Sequence, residues 1–164
     1  MSQPPVSYVD RLNEQYQSLG YPPYKWTVNT EAPFTPLTKP LHQCRVSMLV
    51  AGGISHCSEP GFNPNARDDL RLDVIDPAWK PEEFEINDSY YDHRDADRDI
   101  NVIFPIDRLR ELAAEGVIGD LAPRLWSGFM GRIYKRSLVT EEAAPAFADQ
   151  LKADGVDLLV LVPG

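Results

Sequence analysis

Ala144-Pro-Ala-Phe-Ala-Asp-Gln-Leu-Lys-Ala-Asp-Gly-Val-Asp-Leu-Leu-Val-Leu-Val162 decides the fold. Phe147 and Leu151 sit four residues apart on one helical face, and Gly155 stops the helix. This predicts a helix over Ala144–Ala153. Asp157-Leu-Leu-Val-Leu-Val162 is a continuous apolar run, the pattern of a strand covered on both faces. A helix, a two-residue turn and a buried strand make one α-to-β step.

Working outward, Cys44-Arg-Val-Ser-Met-Leu-Val-Ala51 is a second apolar run, and it ends in Gly52-Gly53. It predicts a buried strand entering a tight loop. Asp107 to Glu115 reads as a helix with Leu109, Leu112 and Ala113 on one face and Gly116 past its end. Asn101-Val-Ile-Phe104 reads as a short buried strand or extended segment. Phe129 to Val139 fits either strand or loop. Ile54 to Asp99 is polar and proline-containing, with room for a short edge strand such as Leu70 to Ile75. Strands alternating with helices predict an α/β fold with an open, largely parallel sheet and flanking helices.

The N-terminal part is different. Tyr8, Val9, Leu12, Tyr16 and Leu19 recur at helical spacing, with Ser7 able to cap the start and Gly20 able to stop the end. From Gly20 to Leu41 the chain carries Pro22, Pro23, Pro33, Pro36 and Pro40, too many for a helix or a central strand. An extended arm is expected, pinned by Tyr21, Tyr24, Trp26 and Phe34. No repeat or linker divides the chain. The organisation expected is one α/β domain over 1–164, with helix and arm in 1–43 and the sheet core in 44–164. The 15 prolines call for long ordered loops.

A formal charge of −9 repels phosphate backbones and anionic lipid, so neither nucleic acid nor membrane is expected as a partner. The first twenty residues lack a signal peptide's apolar core. No run approaches the roughly 20 apolar residues of a membrane span. Two cysteines make no disulfide framework. A cytoplasmic location is the expectation.

Several motifs could carry chemistry. Gly52-Gly53 could bring backbone N–H groups to an anion, but the spacing matches neither a dinucleotide fingerprint nor a P-loop, and a tight turn is the simpler reading. Cys57 follows His56 and could be an activated thiol, although sequence neighbours usually point apart. Cys44 reads as a small buried hydrophobe. The densest titratable cluster is Tyr91-Asp-His-Arg-Asp-Ala-Asp-Arg-Asp-Ile-Asn101. It fails as a calcium loop: the sixth position from Asp95 is Ile100 and the twelfth is Ile106. Arg94 and Arg98 favour a self-neutralising ion-pair network, with Asp92, His93 or Asp95 near a pocket as the alternative. His42, His56 and His93 are too scattered for a metal site, and no metal or cofactor is expected. Trp126, Phe129 and Tyr134 read as core before they read as a pocket wall.

These segments resemble a known family. Tyr8-Val-Asp-Arg-Leu12, Leu19-Gly-Tyr-Pro-Pro-Tyr-Lys-Trp26, the strand Arg45–Ala51 with Gly52-Gly53, and Lys152-Ala-Asp-Gly-Val-Asp157 with its strand are similar to selenoprotein B of glycine/sarcosine/betaine reductase. The most specific match runs from Tyr91 to Gly119. The likeness is loose from Ile54 to Glu85. Ile86-Asn-Asp-Ser-Tyr-Tyr91 lacks the histidines that often precede the Tyr-Asp of the acidic segment in that family.

The resemblance implies a reductase whose terminal strand runs into a selenocysteine or cysteine, two residues and a cysteine. A selenolate there attacks a substrate carbon or exchanges with a partner, and the thiol resolves it. Larger members cleave the C–N bond of glycine, sarcosine or betaine with a pyruvoyl subunit and a selenoprotein A partner. Val162-Pro163-Gly164 stands where the strand would meet that motif. The expectation is a UGA selenocysteine codon next in the gene, and a 164-residue form that is inactive by itself. Candidate pocket residues are Gly52, Gly53, His56, Cys57, Asp92, His93, Asp95 and Pro163. The implied partners are a small-molecule substrate and a redox protein. An incomplete sheet would also leave apolar surface for a homo-oligomer. Two competing readings are a non-catalytic α/β binding or assembly module and a thiol enzyme using Cys57.

Overall fold

The computed structural model describes residues 7–23, 28 and 30–163. The chain divides into two compact units, residues 1–36 and 37–164. In the first, helix α1 spans Tyr8–Ser18. Ser7 precedes it, but its hydroxyl donates to Asp10 (2.5 Å) instead of accepting a backbone N–H. Gly20 follows at φ +83° and closes the helix end, donating to the Gln17 carbonyl (2.9 Å). Tyr21 stacks on Tyr16 with ring centroids 5.8 Å apart. Tyr21 and Phe34 remain exposed, so these two do not make the expected aromatic burial. Tyr24 and Trp26 lie outside the described residues.

The second unit is built on strand β1, Arg45–Val50, buried at every position after Arg45. Its side chains alternate between two faces. Val46, Met48 and Val50 join one core cluster, and Leu49 joins the other. Ser47 is fully buried, and its hydroxyl donates to the Arg124 carbonyl (2.8 Å), which removes the cost of a polar group inside a strand.

After β1 the chain turns through Gly52-Gly53 into β2, Ile54–His56, later met antiparallel by β4, Phe84–Ile86. Between them lies β3, Leu72–Ile75. Helix α2, Ile106–Ala114, then leads to β5, Asp120–Leu121, and β6, Leu125–Gly128. A π-helical turn at Leu138–Ala143 runs into α3, Ala144–Ala153, and then β7, Leu158–Val162.

β7 pairs parallel with β1 from Val46 to Val50. β5 pairs with Arg45 and Val46, and β6 with Leu49 and Val50, both parallel. Val46 and Val50 each already face β7, so β5 and β6 share the opposite side of β1. β3 closes that side, antiparallel to β6. The sheet is therefore mostly parallel with helices on both faces, as the sequence predicted. Ile106 and Leu109 of α2 pack with Val46, Met48 and Val50, while Phe147 of α3 packs with Leu49 and Trp126 on the other face.

Three expectations need correction. Asn101–Phe104 is not a strand, because Ile100–Val102 is a 3-10 turn. Asp99 accepts the Asn101 N–H (3.0 Å), and Phe104 N–H donates to the Ile100 carbonyl (2.8 Å), so the backbone bonds locally. Of the two readings open for residues 129–139, the loop holds through residue 135 and the chain is helical from 136, while the nearby strand is Leu125–Gly128. Tyr134 is 65% exposed and is not core. Trp126 is buried as expected.

Candidate functional site

The chain leaves β1 toward α2 on one face and reaches β7 from α3 on the other. Strand order therefore reverses at β1, and open α/β sheets bind ligands at such a switch, outside the carboxyl ends of the strands. A cavity of about 280 Å³ lies there. Ala51 follows β1, Phe129 and Met130 follow β6, and Pro163 follows β7, and all four line it. Asp69, Asp88 and Arg132 supply its charged groups.

Two loops form the walls, each fixed by polar side chains. Arg71 pairs with Asp73 (2.6 Å), donates to the Pro60 carbonyl (2.5 Å) and stacks over Phe62 at 4.2 Å. Asn87 accepts the Phe62 N–H (3.1 Å) and donates its own N–H to the Gly53 carbonyl (2.8 Å). Asp68 accepts the backbone N–H groups of Tyr134 (2.7 Å) and Lys135 (2.8 Å). The Lys135 amide, then that of Tyr134, holds the Asp68 carboxyl below its usual range against an opposing effect of desolvation. Asp68 N–H in turn donates to the Arg132 carbonyl (3.1 Å).

The backbone is strained at this edge. Asp68, Phe129 and Arg132 have φ of 53°, 50° and 65°, and among the described residues they are the non-glycine positions in the left-handed region. Each costs on the order of 1–2 kcal/mol. Such strain persists where the surrounding structure over-determines it, often at ligand sites.

The structure distributes the sequence-predicted residues over three places. Gly52, Gly53 and Pro163 lie at the carboxyl edge. Gly53 has φ +69° and makes the turn, while the Gly52 carbonyl accepts the Tyr91 hydroxyl (2.8 Å). Burial, followed by the charges of Asp88 and Asp97, pushes the Tyr91 phenol up to about 12.

His56 belongs to an aromatic stack, its ring 4.1 Å from Trp79 and 5.7 Å from Phe84. Its Nδ1 is engaged by the Ser58 hydroxyl (2.6 Å) and N–H (3.2 Å), and its Nε2 is buried without a partner. The exposed Cys57 gains no imidazole from this arrangement. Cys44 is buried with its thiol toward the Pro40 carbonyl (3.4 Å), so the two cysteines form no redox pair.

Asp92, His93 and Asp95 belong to the acidic segment, whose two arginines neutralise two of its four carboxylates. Arg94 pairs with Asp92 (2.5 Å), Arg98 with Asp95 (3.3 Å), and His93 Nδ1 lies 2.8 Å from Asp97. Arg94 holds the Asp92 carboxyl below its usual range. A larger hollow of about 680 Å³ adjoins this segment, walled by Glu82, Glu85, Asp97, Asp99 and Asp107. No parallel strand ends in it, and its charged rim suits an organic ligand less well than the carboxyl-edge cavity.

Sequence reasoning missed Asp69, Asp88, Met130 and Arg132. The available signal was Gly128 and Gly131 around Phe129-Met130, directly after a short buried strand.

Fold and cavity together define an open α/β protein with a ligand-sized pocket at the carboxyl edge of its sheet. The profile of glycine/sarcosine/betaine reductase selenoprotein B (GRDB) matches residues 10–163. The chain belongs to that family. It is similar to the D-proline reductase subunit gamma of Acetoanaerobium sticklandii, 37% identical over 131 residues, which cover 80% of this chain and 53% of that protein. The chain thus spans about half the length of that relative. No solved structure gave a significant match. Among the described residues, no helix is long and apolar enough to cross a membrane.

Proposed function

We propose that this chain is the scaffold and substrate-pocket part of a selenol- or thiol-dependent reductase acting on a small substrate. The observation that carries the proposal is the cavity at the ends of β1, β6 and β7, inside the stretch that matches the family. D-proline reductase names one reaction of this kind, and a small amino acid is the substrate class proposed here. Reductive cleavage of a C–N bond consumes two electrons and two protons. A selenol and a thiol supply both by closing to a selenenyl sulfide, and a disulfide partner reaction reopens it.

Cys44 and Cys57 do not form such a pair, one being buried with its thiol toward the Pro40 carbonyl and the other exposed just past β2. The redox pair is proposed to lie in a motif that β7 would present, as the family resemblance implies, with other subunits supplying the remaining machinery. The test uses the homogeneous 164-residue protein with D-proline, glycine, sarcosine or betaine and excess dithiol. Binding without turnover is the expected result. Turnover refutes the assignment of the redox pair, and failure of every one of these compounds to bind refutes the pocket.

A further inference from the structure

Six arginines of the sheet unit are neutralised directly: Arg71, Arg94, Arg98, Arg108, Arg110 and Arg124 each pair with a carboxylate. Arg45 donates to the Asp154 backbone carbonyl (2.8 Å), and Arg67 lies over the Tyr134 ring. Arg132 lines the cavity, and among the described residues no carboxylate lies within ion-pair distance of it. Its one side-chain hydrogen bond is long, from Nη1 to Asn65 Oδ1 at 3.5 Å. Its Nε is buried and meets no acceptor. A buried guanidinium nitrogen without an acceptor, on a cavity wall, calls for a partner that the protein itself does not supply. The backbone beneath it is held at φ +65°, a conformation glycine would adopt without steric cost.

Two carboxylates line the same cavity. Asp69 Oδ1 accepts the Arg71 N–H (2.9 Å) and Asp88 Oδ1 accepts the Tyr90 N–H (2.7 Å), which leaves acceptor capacity on both. One cation beside two anions disfavours a phosphate, which carries about −1.5 to −2 charges. It fits a ligand bearing one carboxylate and one ammonium.

We propose that Arg132 is the carboxylate-binding residue of the cavity, gripping a small zwitterion whose ammonium end lies toward Asp69 and Asp88. This rests on the reading of the cavity as the substrate site. The planar guanidinium takes a carboxylate through two N–H donors, which fixes orientation as well as position. Arg132 thereby sets specificity for the acid end of the ligand.

The test is phenylglyoxal labelling of the 164-residue protein with peptide mapping, in the presence of D-proline, acetate or pyrrolidine. Arg132 is expected to label readily. At roughly ten times its Kd, a protecting ligand slows labelling about tenfold. Protection by D-proline and acetate but not pyrrolidine supports both the subsite and the substrate class. Protection by acetate alone supports the subsite while the amino-acid reading falls. An unlabelled Arg132, protection by none of the three, or equal protection by pyrrolidine overturns the proposal. Arg132→Gly provides the folded control: it relieves the left-handed backbone, so its thermal midpoint is expected at or above that of the parent. Its affinity for the protecting carboxylate is expected to fall about tenfold or more. Unchanged affinity in a folded Arg132→Gly protein also overturns it.

Discussion

Replacing Gly53 by alanine tests the geometry that joins the β1 turn to the cavity. Gly53 has φ +69°, and a Cβ there would sit 3.0 Å from Met130 Cε, 3.1 Å from Asp88 Cβ and 3.2 Å from the Asn87 carbonyl carbon. Met130 can swing aside. The Asn87 backbone cannot, because its N–H is bonded to the Gly53 carbonyl at 2.8 Å. The left-handed conformation costs alanine on the order of 1–2 kcal/mol. Overpacking against fixed atoms adds about 1–3 kcal/mol. Gly116 isolates the first cost, since its φ is +71° and no atom lies within 4 Å of the position its Cβ would take. Gly116→Ala should therefore cost only the conformational part, and Gly53→Ala at least about 1 kcal/mol more. Urea unfolding followed by circular dichroism measures both, with the midpoint compared at equal m. If the two variants agree within about 0.5 kcal/mol, the close approach at Gly53 is wrong, and with it the placement of Asp88 and Met130 against the turn.

Phe147 is buried with its ring 5.2 Å from Trp126 at 82°, so Phe147→Ala should cost about 3–5 kcal/mol and shift Trp126 fluorescence; a loss below about 1 kcal/mol would mean that α3 does not cover this face. Asp68, Asp92, Asp99 and Asp157 all titrate below the ordinary 3.8 in the folded state, through backbone amides at Asp68, Arg94 at Asp92, Asn101 at Asp99 and Lys39 at Asp157. Their contribution is present above the unfolded-state value and is lost as pH falls through the lower folded values, so unfolding midpoints should drop below about pH 4. An acid limb unchanged in the four-fold asparagine variant would contradict this. Tyr91, at about 12, contributes stability below the ordinary value of 10.0 and loses it as pH rises through 12. Tyr91→Phe should therefore remove one late-titrating phenolate signal, and an unchanged alkaline titration would exclude that burial. Asp68→Ala should speed hydrogen exchange at the Tyr134 and Lys135 amides, which lose their acceptor, and unchanged protection there would show that the loop is held by other bonds.

The sheet's centre was legible because its elements obey one rule each. The run Arg45–Val50 is apolar on both faces, and Phe147 with Leu151 marks a single helical stripe, so both elements were located within a residue or two. Leu72–Ile75 was legible as an edge strand for the opposite reason, a short mixed run between turn residues. The 3-10 turn at Ile100–Val102 was misread because a short apolar run does not declare its period. Ile100 and Phe104 are four apart and both buried, a helical spacing hidden in an apparent strand. β6 was missed because Leu125-Trp-Ser-Gly128 is only four residues long, and its burial comes from pairing on both sides with β1 and β3.

The same stretch explains why the cavity could not be read from sequence. Left-handed backbone is signalled by glycine, yet at Phe129 and Arg132 it falls on residues that resist it. Nothing local predicts that. The conformation is imposed from outside, by β1 and β3 gripping β6 and by Asp68 holding the far end of the loop. Among the described residues, four buried side-chain polar atoms lack partners; three of them, Trp126 Nε1, Ser127 Oγ and Arg132 Nε, fall within a stretch of seven residues, and the fourth is His56 Nε2. Sequences that fold well agree with their local rules almost everywhere, and breaches concentrate where another requirement competes with stability. Here strain, unpaired polar atoms and an unneutralised guanidinium coincide at the carboxyl ends of parallel strands, where the backbone positions ligands independently of side-chain identity. A purely structural role would favour either glycine at position 132 or an acceptor for the arginine Nε. The proposed ligand at this edge would account for both departures together.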